Sequence, residues 1–352
     1  MGFYEDQLLQ FRNLLKARGY AVRVADATVP DNAACPVSVG LPPDLLGENV
    51  LIAIPDVHLS DGSDGDIFFA GDAGNSARFV ATLEAINDYI DGRQDIYLLQ
   101  LGDWYDVWRA IGHDATQAQY AAIENTAAYQ RLLELDKELG LAHLIGNHDA
   151  SFTHALPDRR VADGKVFRFG MGLLKSNGRI FAIHGHQTDD IQGVPSPDSE
   201  QRVVWLGTFA AKYLTSEARH LQNFLDQQGP NAAAVFDWLK ALIGVNRPDP
   251  TPKPRNRKNA PDGYTGSFVE REDSSALVRI CVDACKKRYG APTPLELLVV
   301  GHSHKACAAW TPHPDSNKPV IIIDGGSWVH GAAQIVFGAG NRISVFDVVP
   351  CD

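Results

Sequence analysis

At 352 residues, with 45% apolar and 21% charged side chains, the chain has the balance of a globular protein that can bury a sizeable core. A formal net charge of -11 argues against a general nucleic-acid binder, whose Lys and Arg must match a phosphate backbone, yet it leaves room for a phosphate substrate wherever bound cations invert the local field. No run approaches the roughly 18 apolar residues of a membrane span, and the first residues, with Glu5 and Asp6, lack the apolar stretch of a secretory signal.

In chain order, Phe3, Leu8, Phe11 and Leu15 fall near helical spacing and predict an amphipathic helix over 3–18, closed by Gly19. Thr28 to Pro43 is rich in Pro and small residues and reads as a connecting arm, so residues 1–48 form an N-terminal helix and arm ahead of a larger α/β domain over 49–350. Within that domain, short apolar runs at Val50–Ile54, Ile96–Leu101, Ala142–Ile145, Ile180–Ile183, Leu297–Val300 and Val320–Ile323 predict strands. Helices are predicted between them at Ala77–Asp91 and Thr116–Leu139, the latter stopped by Gly140. The alternation defines an α/β fold, in which functional groups gather beyond the carboxyl ends of strands.

Residues 187–275 interrupt this pattern as an insertion. Glu200 to Val245 is helical in pattern and dense in bulky apolar residues, including Trp205, Phe209 and Trp238, and is either a cap over the site or a packing element. Residues 247–263, with alternating prolines and several basic side chains, are expected to form a flexible surface loop. Of the five cysteines, Cys281 and Cys285 share a predicted helix face; none lies in CxxC spacing, which reads as reduced thiols in a cytoplasmic protein.

Each of the first five predicted strands is followed by a group able to bind a metal: Asp56-Val57-His58, Gly102-Asp103-Trp104-Tyr105-Asp106, Gly146-Asn147-His148-Asp149, His184-Gly185-His186 and Gly301-His302-Ser303-His304. One such ending is weak evidence, but five in one chain point to a shared site. Asp and His supply oxygen and nitrogen donors suited to Mn, Fe or Zn, whereas Mg or Ca prefer all-oxygen cages. In Asp56-x-His58 and His302-x-His304 both side chains can leave one side of the backbone. Glycine before Asp103, Asn147 and His302 permits close backbone approach. Asp106 reads as a supporting or surface carboxylate rather than a ligand, and His186 as a supporting or substrate contact. His113, His143, His154, His220, His313 and His330 read as exposed or structural.

Motif by motif, these residues resemble the calcineurin-like metallophosphoesterase superfamily over about residues 50–348. The resemblance implies a two-sheet β-sandwich flanked by helices. It implies two divalent metal ions, Mn²⁺ first with Fe or Zn as alternatives. One would be held by Asp56, His58, Asp103 and His304, the other by Asp103, Asn147, His184 and His302, with Asp103 as bridge. It also makes His148 a general acid that Asp149 orients. Asp324-Gly325-Gly326-Ser327-Trp328 resembles the Asn-Thr-Gly-Ser-Trp turn of many members, with Asp324 in place of Asn. By general metal chemistry, two cations about 3.5–4 Å apart lower the pKa of a bridging water that attacks phosphorus.

Protein phosphatases of the superfamily continue the second motif with an Arg after its second Asp; here Val107 follows Asp106. The second and fourth motifs and the insertion are instead similar in part to the UDP-2,3-diacylglucosamine hydrolase branch, which implies a phosphodiester or pyrophosphate bond in a small or amphiphilic substrate. His148 and His186 depart from that branch, which carries Arg and Asp there. The alternatives are a phosphomonoesterase or nuclease of the superfamily, and a scaffold that has lost catalysis.

Overall fold

The computed structural model describes residues 2–29, 34–60, 62, 66–68, 74–106, 122–148, 170–173, 176–188, 256–289 and 293–351. Helix α1 (Phe3–Lys16) buries Tyr4, Leu8, Phe11 and Leu15. Tyr4 takes the place expected of Phe3, because it lies four residues before Leu8 on the same stripe. Glu5 and Asp6 in the first turn and Lys16 in the last complement the helix dipole. In chain order follow β1 (Tyr20–Val24), β2 (Ser38–Gly40), α2 (Pro43–Leu46), β3 (Gly47–Ile54), α3 (Asn75–Ile90), β4 (Ile96–Gln100), α4 (Gln130–Leu139) and β5 (Ala142–His143). The second half contributes β6 (Gly170–Gly172), β7 (Ile180–Ile183), β8 (Arg257–Lys258), β9 (Thr265–Gly266), β10 (Phe268–Val269), α5 (Ser274–Tyr289), β11 (Leu297–Val300), β12 (Cys307–Pro312), β13 (Pro319–Asp324), β14 (Gln334–Gly340) and β15 (Arg342–Pro350).

Two mixed sheets form the centre. The first runs β5-β4-β3-β14-β15-β2-β9, with β1 also on β15; the second runs β12-β13-β11-β7-β6. Strands β3, β4 and β5 are mutually parallel, as are β7, β11 and β13. Side-chain alternation then builds three apolar layers. Leu51, Ala53, Leu99 and Val336 of the first sheet meet Ala182, Leu297, Val299 and Ile323 of the second. On the outer face of the first sheet, Val50, Ile52 and Phe337 pack with Phe11 of α1, Leu83 of α3 and Leu132 of α4. On the outer face of the second, Leu298, Val300 and Ile322 pack with Leu277, Cys281 and Cys285 of α5. The result is the helix-flanked two-sheet sandwich that the motifs implied.

The region read as helix and arm supplies strands to the first sheet: β1 pairs with β15 over its full length, and β2 lies between β15 and β9. The helix predicted over 116–139 is described from 122 and breaks at Asn125–Thr126 before a short 3-10 turn and α4. There the Thr126 hydroxyl donates to the Ala122 carbonyl at 3.0 Å, the local competition that disfavours Thr inside helices. Asp136 and Lys137 carbonyls accept from Gly140, which takes the left-handed conformation at φ 59°.

The insertion's residues 189–255, with Glu200 to Val245 and the aromatic residues named above, lie outside the described residues, as does most of loop 247–263. Where that loop is described, Arg257–Lys258 pair with Phe268–Val269, and the Lys258 ammonium sits 3.9 Å from the Trp310 ring centre. No helix among the described residues is long and apolar enough to cross a membrane.

Candidate metal centre

The parallel strands direct their carboxyl ends to one rim, and every motif follows such an end. The turn after β3 is laid against the turn after β4: Val57 and His58 amides donate to the Asp103 carbonyl, Leu59 to Trp104, and Asp106 back to Leu59. His58, Asp103, His302 and His304 all have left-handed backbones, with φ of 56°, 51°, 71° and 56°. Four non-glycine residues in that region at one rim mark strain of the kind concentrated at functional sites.

The glycines do the work expected of them. A Cβ on Gly146 would overlap the Asp103 carboxylate, and one on Gly301 the Asp56 carboxylate. Gly102, at φ 101°, would place a Cβ 2.6 Å from His184 Nδ1. Only a hydrogen fits at these three places.

All seven residues implied as ligands come together. Asp56, His58 and His304 form one group able to hold a metal ion, and Asp103, His184 and His302 another. In the first group His304 Nε2 lies 3.2 Å from Asp56 Oδ2 and 3.0 Å from His58 Nε2. In the second, His184 Nε2 lies 3.2 Å from Asp103 Oδ2 and 3.1 Å from Asn147 Oδ1. Asp103 Oδ2 is also 3.5 Å from His58 Nε2, so a single carboxylate oxygen faces both groups. The Asp56 carboxylate accepts the His302 amide at 3.1 and 2.9 Å, tying the two turns together.

These donors fit a cation. His184 Nδ1 donates to the Leu101 carbonyl at 2.8 Å, which leaves a lone pair on Nε2 of the neutral ring, pointed at two more acceptors. His58 repeats the arrangement: Nδ1 meets Asp106 Oδ2 at 3.1 Å, and Nε2 faces His304 Nε2 and Asp103 Oδ2. Acceptors converging without protons between them need a positive charge. Burial pushes the His58 ring down to about 4, favouring the neutral, ligating form. Against burial, His184 and then His148 and His58 in their protonated forms hold Asp103 well below the usual carboxylate range, a positive charge that a cation would replace once the rings are neutral.

Asp106 is fully buried, and its other oxygen meets His148 Nδ1 at 2.8 Å. His148 is anchored by its amide, which donates to Asp103 Oδ1 at 2.8 Å. Asp149 lies outside the described residues. The carboxylate found at the His148 ring is that of Asp106, a group whose place in the motif alone suggests a supporting or surface role. His148 and His58 hold the Asp106 carboxyl far below its ordinary range, against the opposing effect of burial. His58, Asp106 and His148 form a third group of metal-competent side chains.

Among the remaining histidines, His186 is buried beside His184 and His302, with ring centres 5.3 and 6.2 Å away. Burial drives its ring well below the ordinary histidine value. His143 is buried and structural, bonded to Asp136 Oδ1 at 2.9 Å, with Gln100 linking it to Gly102. His313 is buried and receives the amides of Asp315 and Ser316, whereas His330 is exposed. His113, His154 and His220 lie outside the described residues.

A sandwich of two mixed sheets thus gathers Asp and His at its strand ends into groups able to hold metal. The model of the calcineurin-like phosphoesterase family matches residues 50–306, most of the chain, and the chain belongs to that family. Family membership carries metal-dependent phosphoester hydrolysis with it. No curated protein matches the chain.

Proposed function

We propose that the chain is a dinuclear metal-dependent phosphohydrolase acting on a phosphodiester or pyrophosphate bond. In this reading Asp56, His58, Asp103 and His304 hold one divalent cation, and Asp103, Asn147, His184 and His302 the other. The observation that carries it is the position of Asp103 Oδ2, 3.5 Å from His58 Nε2 and 3.2 Å from His184 Nε2, between two groups of donors. The mixed oxygen and nitrogen donors favour Mn²⁺, with Fe or Zn as alternatives. Bound cations would supply Lewis acidity, polarising a phosphoryl oxygen and lowering the pKa of water.

The chain's own groups supply the rest. Asn147 contributes an uncharged oxygen, limiting the negative charge that would repel a phosphate. His148 is the proton donor to the leaving oxygen: Asp106 fixes its Nδ1 at 2.8 Å and provides a counter-charge, so Nε2 is the nitrogen left to deliver the proton. Asp106 rather than Asp149 is the orienting carboxylate on this reading. Preference for a diester or pyrophosphate is supported by Val107, which stands where protein phosphatases have their phosphate-gripping Arg.

The test is hydrolysis by metal-loaded protein across phosphomonoesters, phosphodiesters and nucleotide pyrophosphates, with chelator controls. Metal-dependent turnover of a diester or pyrophosphate is expected. A monoester preference would overturn the bond assignment, and absence of turnover on every substrate with Mn²⁺, Fe²⁺ or Zn²⁺ would overturn the catalytic reading.

A further inference from the structure

Arg271 lies near the end of the 187–275 insertion, just before α5 and well away in sequence from every motif, yet its side chain is completely buried. Its Nε and Nη2 donate to the two oxygens of Asp273 at 2.6 and 3.1 Å, and Nη1 donates to Asp324 Oδ2. Both carboxylates reach onward. Asp324 Oδ2 accepts the Ser303 hydroxyl at 2.6 Å, and Oδ1 accepts the Gly326 amide at 3.1 Å. Asp273 Oδ2 lies 3.0 Å from the Thr188 hydroxyl, which is also 3.2 Å from the Gly185 carbonyl.

The endpoints decide what this network does. Ser303 stands between His302 and His304, whose left-handed backbones need an outside restraint. Thr188 closes the short 3-10 turn that begins at His186, two residues after His184. One guanidinium therefore spans the two turns that carry three of the histidines facing the centre. The planar fork of Arg can engage two carboxylates in fixed directions at once, which a lysine ammonium cannot. Asp324 is also the residue that departs from the Asn of the related turn, and its added charge is the one Arg271 meets.

We propose that Arg271 is a positioning residue for the metal centre, clamping the 184–188 turn to the 302–304 turn through Asp273 and Asp324 and thereby setting metal affinity. The proposal rests on the reading of His184, His302 and His304 as ligands. The competing role is purely structural: the Arg271 carbonyl accepts the Ser274 hydroxyl at 2.8 Å at the start of α5, so the pair of ion bridges could serve that helix alone.

Full-length protein stripped of metal separates the two roles by Mn²⁺ titration calorimetry and by the visible absorption of bound Co²⁺, which reports ligand geometry. Arg271→Lys should weaken Mn²⁺ binding about 10- to 100-fold, the usual effect of losing a group that orients ligands, and should shift the Co²⁺ bands. The double variant Thr188→Val, Ser303→Ala keeps both ion bridges and cuts the links to the turns, together with the bonds these hydroxyls make to Gly185 and Lys305; it should change both readouts in the same direction. Wild-type Mn²⁺ affinity and Co²⁺ spectrum in Arg271→Lys, whatever its melting temperature, would overturn the clamp. If Arg271→Lys does not fold, the same outcome in the double variant would do so. Asp103→Asn, run in parallel, guards the underlying reading: if it binds Mn²⁺ like the wild type, the ligand assignment itself fails.

Discussion

Asp106 Oδ1 lies 2.8 Å from His148 Nδ1 while its Oδ2 lies 3.1 Å from His58 Nδ1, so one buried carboxylate sets the ring orientation of a proposed proton donor and a proposed ligand together. Asparagine at this position can accept from only one of the two rings and turns its amide hydrogens on the other. Asp106→Asn is expected to fold and to lose about 10- to 100-fold in kcat/KM, as expected for a group that orients metal ligands. Steady-state kinetics alongside circular dichroism check this, and wild-type kinetics in a folded variant would show that neither ring depends on Asp106.

The place of Asp106 also shows where reading the sequence stops. Parallel strands buried on both faces are written as continuous apolar runs, so the runs at 50–54, 96–101, 180–183 and 297–300 and the polar motifs behind them stand out. Asp106, three residues after Asp103, had no such signal. It reaches His58 because the 56–59 and 103–106 turns are hydrogen-bonded side by side, a tertiary pairing that spacing does not encode. Strand β12, with two alanines, a terminal proline and Thr311 as its one β-branched residue, lacks the apolar β-branched run that announces a strand and sits at a sheet edge, where proline is tolerated. Arg271 is one arginine among many until the fold buries it.

Asp103 faces both ligand groups, so neutralising it should affect both cations. Asp103→Asn is expected to weaken the two metal-binding steps by more than about tenfold each, since each cation loses a charged ligand. Elemental analysis and titration of the metal-free protein check the stoichiometry. Two equivalents still bound with wild-type affinity would remove the bridging role.

Gly301 and Gly146 allow carboxylates to lie against the backbone. A methyl group at Gly301 would overlap Asp56 and at Gly146 would overlap Asp103. Gly301→Ala and Gly146→Ala should each cost about 1–3 kcal/mol of stability, the usual range for overpacking, and should lower metal affinity as the carboxylate is displaced. Denaturant unfolding of the metal-free protein measures the first effect and metal titration the second. Unchanged values for both would show that the turns yield freely.

Acid should destabilise the metal-free protein through His58. Burial lowers its folded-state value to about 4, below the ordinary 6.5, so between these values the unfolded chain binds more protons than the folded one. Stability therefore rises with pH across this window and is lost as pH falls through it, by on the order of 3 kcal/mol for this residue. His186, also lowered by burial, acts in the same direction. Chemical denaturation from pH 4.5 to 7.5 should show the slope, and His58→Asn should flatten it. An identical slope in wild type and variant would place the acid lability elsewhere.

His148 offers the sharpest test of mechanism, because its proposed task is chemical and its metal contact indirect. Its amide, not its ring, bonds to Asp103, so removal of the imidazole leaves that anchor in place. His148→Ala should keep the metals. Turnover of substrates with a poor leaving group should fall about 10²- to 10⁴-fold, the range typical for a positioned general acid. The loss should shrink when the leaving group needs no proton, as with a nitrophenolate, since an oxygen that departs stably as an anion gains little from a donor. The quantity to measure is the ratio of wild-type to variant kcat for matched alkyl and nitrophenyl esters. A ratio independent of the leaving group would assign His148 to binding the phosphoryl oxygens instead, where Asp106 would still orient the ring but no proton would pass to the departing oxygen.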